Sequence, residues 1–168
     1  MIKKIIRILF VASLLISKQE CFAQELLSEL PSTREEFIAS EKKVLATIDW
    51  LEATPFDEQV ETRNTQKALL IAWLTNSPTV TLQVDADVLK FTRKNPDLLV
   101  IFMGGWTRHA LQNNYSADNV QDSLAGIKSA IQVYKNFSLK KDKEMDKLIE
   151  LDSRGELENW VKEKMTKK

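Results

Sequence analysis

The sequence PDLLVIFMGGWTRHALQ (residues 96–112) is the most apolar stretch of the chain outside its first 23 residues. Its apolar residues would lie on all sides of a helix rather than on one face, which is typical of a helix surrounded by other elements. Pro96 suits the first helical position and Asn95 suits the N-cap before it. We therefore expect a central helix over residues 96–112.

The segments on either side of this stretch predict further helices. Thr33 with Glu36, and Ser32 with Glu35, have the spacing of a capping box and predict a helix that ends before Pro55. The other predicted helices cover about residues 58–75, a short segment capped by Asp85, the apolar seam from Val120 to Tyr134, residues 138–153 with Gly155 as the C-terminal cap, and residues 157–165.

One segment has the period of a strand. Val80, Leu82 and Val84 alternate with polar residues, but no second strand is evident to pair with them. We interpret residues 79–84 as an extended connector. The predicted fold is an all-α, compact bundle of about six to seven helices, formed by a single domain over residues 24–168.

Composition excludes several classes of protein. The chain has 168 residues, 24 basic and 24 acidic, and 43% of its residues are hydrophobic, which argues against disorder. Its one Cys and one His argue against a disulfide scaffold and against a zinc site built on several imidazoles, so we predict no metal and no cofactor. The balanced charge also argues against a nucleic-acid partner, because non-specific binders carry a basic excess.

Residues 1–23 have the three-part pattern of a secretory signal peptide. A basic start containing Lys3, Lys4 and Arg7 precedes an apolar stretch over residues 8–16, and Ala23 offers a cleavage site. A buried N-terminal helix is the alternative interpretation. A lipid on Cys21 is disfavoured because polar residues 18–20 precede it. We therefore expect a secreted or periplasmic bacterial protein with no stable membrane anchor after cleavage.

The residues that stand out as a candidate site lie within the predicted central helix. Two consecutive glycines in a helix cost about 1 kcal/mol each relative to alanine. Either a neighbouring helix crosses closely at this point, which we favour, or the glycines open a small cavity. The candidate binding residues are Gly104, Gly105, Trp106, Arg108 and His109.

His109 is the natural candidate for a general base because imidazoles titrate near neutrality, and Arg108 could act beside it. However, the sequence contains no Gly-x-Ser-x-Gly turn, zinc-protease helix, phosphate-binding loop or dinucleotide-binding loop. A structural role for His109 is therefore favoured. The carboxylates of Asp85 and Asp87 suit helix capping better than a metal site.

Three functions are compatible with these features. We favour an exported, non-catalytic interaction or binding module, acting in the bacterial periplasm or outside the cell on an unknown protein or small-molecule partner. The alternative is a metal-independent hydrolase that uses His109 and Arg108. The third is a small-ligand carrier with its pocket at Gly104 and Gly105.

Overall fold

The computed structural model describes residues 25–166, which form six α-helices and one 3-10 helix and contain no strand. The helices are α1 (Arg34–Ala53), α2 (Val60–Asn76), the 3-10 helix (Val88–Thr92), α3 (Leu98–Gln112), α4 (Asn119–Asn136), α5 (Lys143–Ser153) and α6 (Leu157–Thr166). The predicted all-α bundle is confirmed. The predicted signal peptide, including Cys21, lies outside the described residues. Within residues 25–166, no helix is both long and apolar enough to cross a membrane.

Helix α1 begins and ends where local sequence signals place its boundaries. The side chain of Thr33 accepts a hydrogen bond from the backbone N–H of Glu36, and the Glu36 carboxylate accepts one from the backbone N–H of Thr33. The capping box is therefore the pair Thr33 and Glu36. Ser32 donates its N–H to the same carboxylate. The helix ends at the C-cap Thr54, immediately before Pro55.

Helix α3 is the central helix, as predicted. It packs most extensively on α4 and also contacts α1, α2 and the 3-10 helix. Leu98, Phe102 and Trp106 are fully buried along it. However, α3 begins two residues later than predicted, because the Asn95 side chain does not cap it. Instead, the Asn95 amide donates to the Lys140 carbonyl and its Oδ1 accepts the Lys140 N–H, which ties this turn to the α4–α5 connection.

Helix α4 covers one side of α3 and contains the predicted seam. Leu124, Ile127 and Ile131 are buried along it. The prediction that the next helix begins at residue 138 is wrong: α5 begins at Lys143. Asp142 caps α5 by accepting the N–H of Glu144. Residues 138–142 therefore connect the two helices rather than continuing α5.

The extended connector at residues 79–84 is confirmed. Its Val80 packs against the bundle and is only 3% exposed. The segment that follows differs from the prediction. It is a 3-10 helix whose N-cap is Asp87 rather than Asp85. Asp85 still organises the turn, since its carbonyl accepts the N–H groups of Val88 and Leu89 and its side chain accepts that of Asp87.

Gly155 ends α5 with a positive φ of 70°. The N–H of Gly155 donates to the carbonyl of Asp152, and that of Glu156 donates to the carbonyl of Leu151. These two bonds define a Schellman motif, in which glycine is favoured because it has no Cβ. The predicted C-terminal cap is confirmed.

Candidate functional site

The two glycines of α3 lie at a close helix crossing. A Cβ placed on Gly105 would lie 2.4 Å from the Ser129 Oγ and 2.9 Å from the Ala125 carbonyl oxygen, both on α4. Gly126 of α4 makes the matching approach, since its Cβ would lie 2.6 Å from the Phe102 carbonyl oxygen. The backbones of α3 and α4 can come this close only because both positions lack a side chain. Close packing therefore explains Gly105.

Gly104 faces a different neighbour. Its Cβ would lie 3.0 Å from a side-chain carbon of Ile48 on α1, and Ile48 is 1% exposed. The space beside both glycines is thus occupied by neighbouring helices. The residue after them, Trp106, is also in the core: it is fully buried and packs on Phe102 with ring centroids 6.0 Å apart. All three residues are buried and contribute to helix packing.

Arg108 connects α3 to α1 through two carboxylates. Its guanidinium donates to both oxygens of Glu52, at 3.0 and 2.7 Å, and to Asp49 Oδ1 at 2.7 Å. Partial burial lowers the pKa of Arg108, but the hydrogen bonds and charges of Glu52 and Asp49 outweigh this effect, so the pKa is raised overall. The cation is therefore held in a bidentate ion pair between helices.

His109 connects α3 to α4. Its Nδ1 lies 2.6 Å from Oδ1 of Asp122, whose side chain is 1% exposed, whereas the imidazole is 28% exposed. Burial raises the pKa of Asp122, and the hydrogen bond from His109 partly opposes this rise. The other carboxylate oxygen, Oδ2, is buried and has no hydrogen-bond partner among residues 25–166.

The His109–Asp122 pair has the geometry of a base with its orienting acid. A buried carboxylate that accepts from Nδ1 fixes the imidazole tautomer and leaves Nε2 able to accept a proton. However, Nε2 has no hydrogen bond to a serine, threonine or cysteine of the described range. Arg108 binds Glu52 and Asp49 of α1 and also donates to the Ser129 hydroxyl of α4 at 3.4 Å, but no hydrogen bond joins this hydroxyl to His109.

The carboxylates of Asp85 and Asp87 stabilise the local backbone and side-chain arrangement. Asp85 accepts a backbone hydrogen bond, and Asp87 forms an ion pair with Lys90 at 2.6 Å. Over the part of the chain that the structure describes, no three His, Cys, Asp or Glu side chains are grouped so that they could hold a metal ion.

Residues 104–109 of α3 do not line any of the five main surface depressions of the described chain. One depression, of about 380 Å³, separates the chain before α1 from the first turns of that helix. We call it the N-terminal groove, and it is lined by Leu27, Ser28, Glu29, Leu30, Pro31, Ser32, Glu36, Ala39, Ser40 and Lys43. Sequence reasoning missed it because a groove between two segments depends on how they pack, which no local pattern records.

One wall of the N-terminal groove is formed by the chain before α1, and this segment is fixed to the bundle. Leu27 is 1% exposed, and its N–H donates to the Thr47 hydroxyl at 2.9 Å. Thr47 in turn donates to Gln66 of α2. Leu30, which is 41% exposed, extends from this wall. The groove is therefore preformed rather than dependent on a loose terminal segment.

Two other depressions lie elsewhere on the bundle. The larger, of about 650 Å³, lies between the connector, the start of α4 and the end of α6, and its lining includes Asp85 and Asp118. Another, of about 390 Å³, lies where the α1–α2 and α4–α5 connections meet, around Phe56 and Phe137.

Comparison with known proteins gives no relatives from which to infer function. No protein-family model matches the chain, and no curated protein or solved structure is significantly similar to it.

Proposed function

We propose that this chain is an exported, non-catalytic binding module that acts in the bacterial periplasm or outside the cell. The observation that carries the proposal is the N-terminal groove, a preformed depression with the exposed apolar side chain of Leu30 on its wall. Binding sites are commonly preformed concave surfaces that combine apolar contacts with a few polar groups.

The position of the groove is compatible with export. Leu27, which anchors the wall, lies four residues after the expected cleavage site at Ala23. A chain cut there keeps this anchor and every residue that lines the groove. The basic start and apolar stretch of residues 1–16 support secretion by sequence pattern.

The residues best suited to chemistry have structural partners. Arg108 is paired with Glu52 and Asp49, and His109 is paired with buried Asp122. Ion pairs of this kind, between helices, serve packing as well as chemistry. This arrangement supports a binding role over a catalytic one.

The proposal is tested in the source cell by placing a photo-crosslinking residue at position 30 and, as a control, at position 71. Leu30 and Ile71 are both 41% exposed, but Ile71 lies on α2 and does not line the groove. We expect one discrete adduct from position 30 only, on a protein whose mature N-terminus is Gln24 by mass spectrometry. Equal labelling from both positions, or an intact Met1, would contradict the proposal.

A hydrolase is the second candidate, and the His109–Asp122 hydrogen bond of 2.6 Å is the observation that favours it. In that case Nε2 of His109 would accept a proton from water or from a substrate hydroxyl. An esterase assay on the purified protein separates the two functions. Hydrolysis of an activated ester that His109→Gln abolishes, while the variant stays folded, would favour catalysis.

A further inference from the structure

One wall of the N-terminal groove, residues 28–30, is irregular backbone with a bend at Glu29. None of the backbone N–H and carbonyl groups of residues 28–30 is hydrogen-bonded to another residue of the described range. Leu27 and Ser32, on either side, are both held by hydrogen bonds to α1. A short stretch fixed at both ends thus presents main-chain donors and acceptors that no residue from 25 to 166 pairs. Main-chain groups exposed in this way can hydrogen-bond to the main chain of a bound peptide.

The side chains that line the groove add an apolar contact and a negative charge. Leu30, Pro31 and Ala39 supply apolar surface. Lys43 is the only cation among the lining residues, and it is paired with Glu25 at 3.1 Å. Glu36 is used by the capping box, whereas Glu29 is exposed and forms no ion pair within residues 25–166. The groove is therefore complementary to a cationic partner rather than an anionic one.

From these features we infer that the N-terminal groove binds an extended peptide segment in which a lysine or arginine lies two positions from an apolar residue. The peptide main chain pairs with residues 28–30. Its apolar side chain lies against Leu30 and Ala39, and its cation lies near Glu29. Because side chains alternate along an extended chain, an apolar residue and a cation two positions apart point to the same face. The inference rests on the proposed function, since it names the partner class of the same groove.

The test uses three synthetic heptapeptides with blocked ends and a serine background, in which a leucine at the third position is followed two positions later by lysine, by glutamate or by serine. Binding to the purified protein is followed by calorimetry and by amide chemical-shift changes in the ¹⁵N spectrum. We expect the lysine peptide to bind most tightly and its affinity to fall as the salt concentration is raised. Its binding should shift the amide resonances of residues 27–43. A glutamate peptide that binds as well as the lysine peptide, or shifts confined to other residues, would overturn the inference.

Matched variants locate the interaction. Glu29→Lys should lower the affinity for the lysine peptide by about tenfold or more. Glu163→Lys, an equal charge change on the exposed surface of α6, should leave this affinity unchanged. Leu30→Ser should also weaken binding, and Ile71→Ser should not. Equal effects within either pair would overturn the inference, because a general charge or solubility effect would then explain the binding.

Two further outcomes separate this inference from the function on which it rests. If position 30 crosslinks to a discrete partner in cells but the lysine peptide does not bind, the partner chemistry is wrong and the binding function stands. If neither result is obtained, both proposals fail. A dimer in sedimentation that Leu30→Ser dissociates would identify a second copy of this chain as the occupant, and would overturn the peptide inference.

Discussion

At the scale of single residues, the hydrogen bond between His109 and Asp122 is the most consequential contact. The Asp122 side chain is 1% exposed and only one of its oxygens has a partner in the described part of the chain. Removing the imidazole would leave a buried carboxylate without that donor. Unsatisfied buried groups of this kind typically cost about 1–3 kcal/mol.

This contact predicts a specific pH dependence. Because burial raises the pKa of Asp122, its contribution to folding is fully present below the unfolded-state pKa and is lost as pH rises through the folded-state pKa. Asp122→Asn keeps an acceptor for His109 but cannot ionise. Urea denaturation should therefore show the variant gaining stability relative to wild type as the pH rises from below the unfolded-state pKa of about 4 through the raised folded-state pKa. A difference that stays constant over this range would contradict the assignment.

The sequence identified His109 and Arg108 as unusual, but it could not identify their partners. Arg108 and Glu52 are 56 positions apart, and His109 and Asp122 are 13 positions apart on different helices. Such pairs depend on how helices cross, whereas local patterns report only neighbours within a few turns. Asp122 in particular would be read from sequence as a favourable charge in the first turn of α4.

At the scale of elements, the crossing of α3 and α4 depends on two glycines facing each other's backbones. Gly105→Leu should destabilise the protein by about 1–3 kcal/mol through overpacking against Ser129 and Ala125. Thermal unfolding followed by circular dichroism measures this effect. An unchanged melting temperature would mean that the two helices do not pack closely there.

A compensating change tests the same contact from the other side. A Cβ on Gly105 meets both the Oγ and the Cβ of Ser129, at 2.4 and 2.7 Å, so Ser129→Gly should recover part of the stability lost in Gly105→Ala. Recovery should be incomplete, because the Ala125 carbonyl oxygen still lies 2.9 Å away. Ser129→Gly should give no recovery in Gly126→Ala, whose new Cβ would meet Phe102 instead.

Element boundaries were predictable where a local cap sets them. Thr33 and Glu36, three positions apart, define the start of α1, and Gly155 ends α5. The predicted starts of α3 and α5 were wrong for a physical reason. Asn95 bonds to Lys140, 45 positions away, and residues 138–142 follow that connection rather than helical geometry.

At the scale of the whole molecule, the all-α architecture follows from the periodicity of apolar residues. The central position of α3 follows from its apolar residues on every side, and the core includes side chains from all six helices and the 3-10 helix. The N-terminal groove could not be predicted in this way. It arises where an irregular segment anchored by Leu27 passes over α1, and neither segment carries a distinctive motif.

The central claim is that the packing of apolar helix faces holds the bundle together with no contribution from a bound metal ion. The most direct measurement is denaturant unfolding of residues 24–168, with and without a strong metal chelator. We expect one cooperative transition with the same midpoint in both conditions. A lower midpoint in the presence of the chelator, or a gradual transition without cooperativity, would contradict the account.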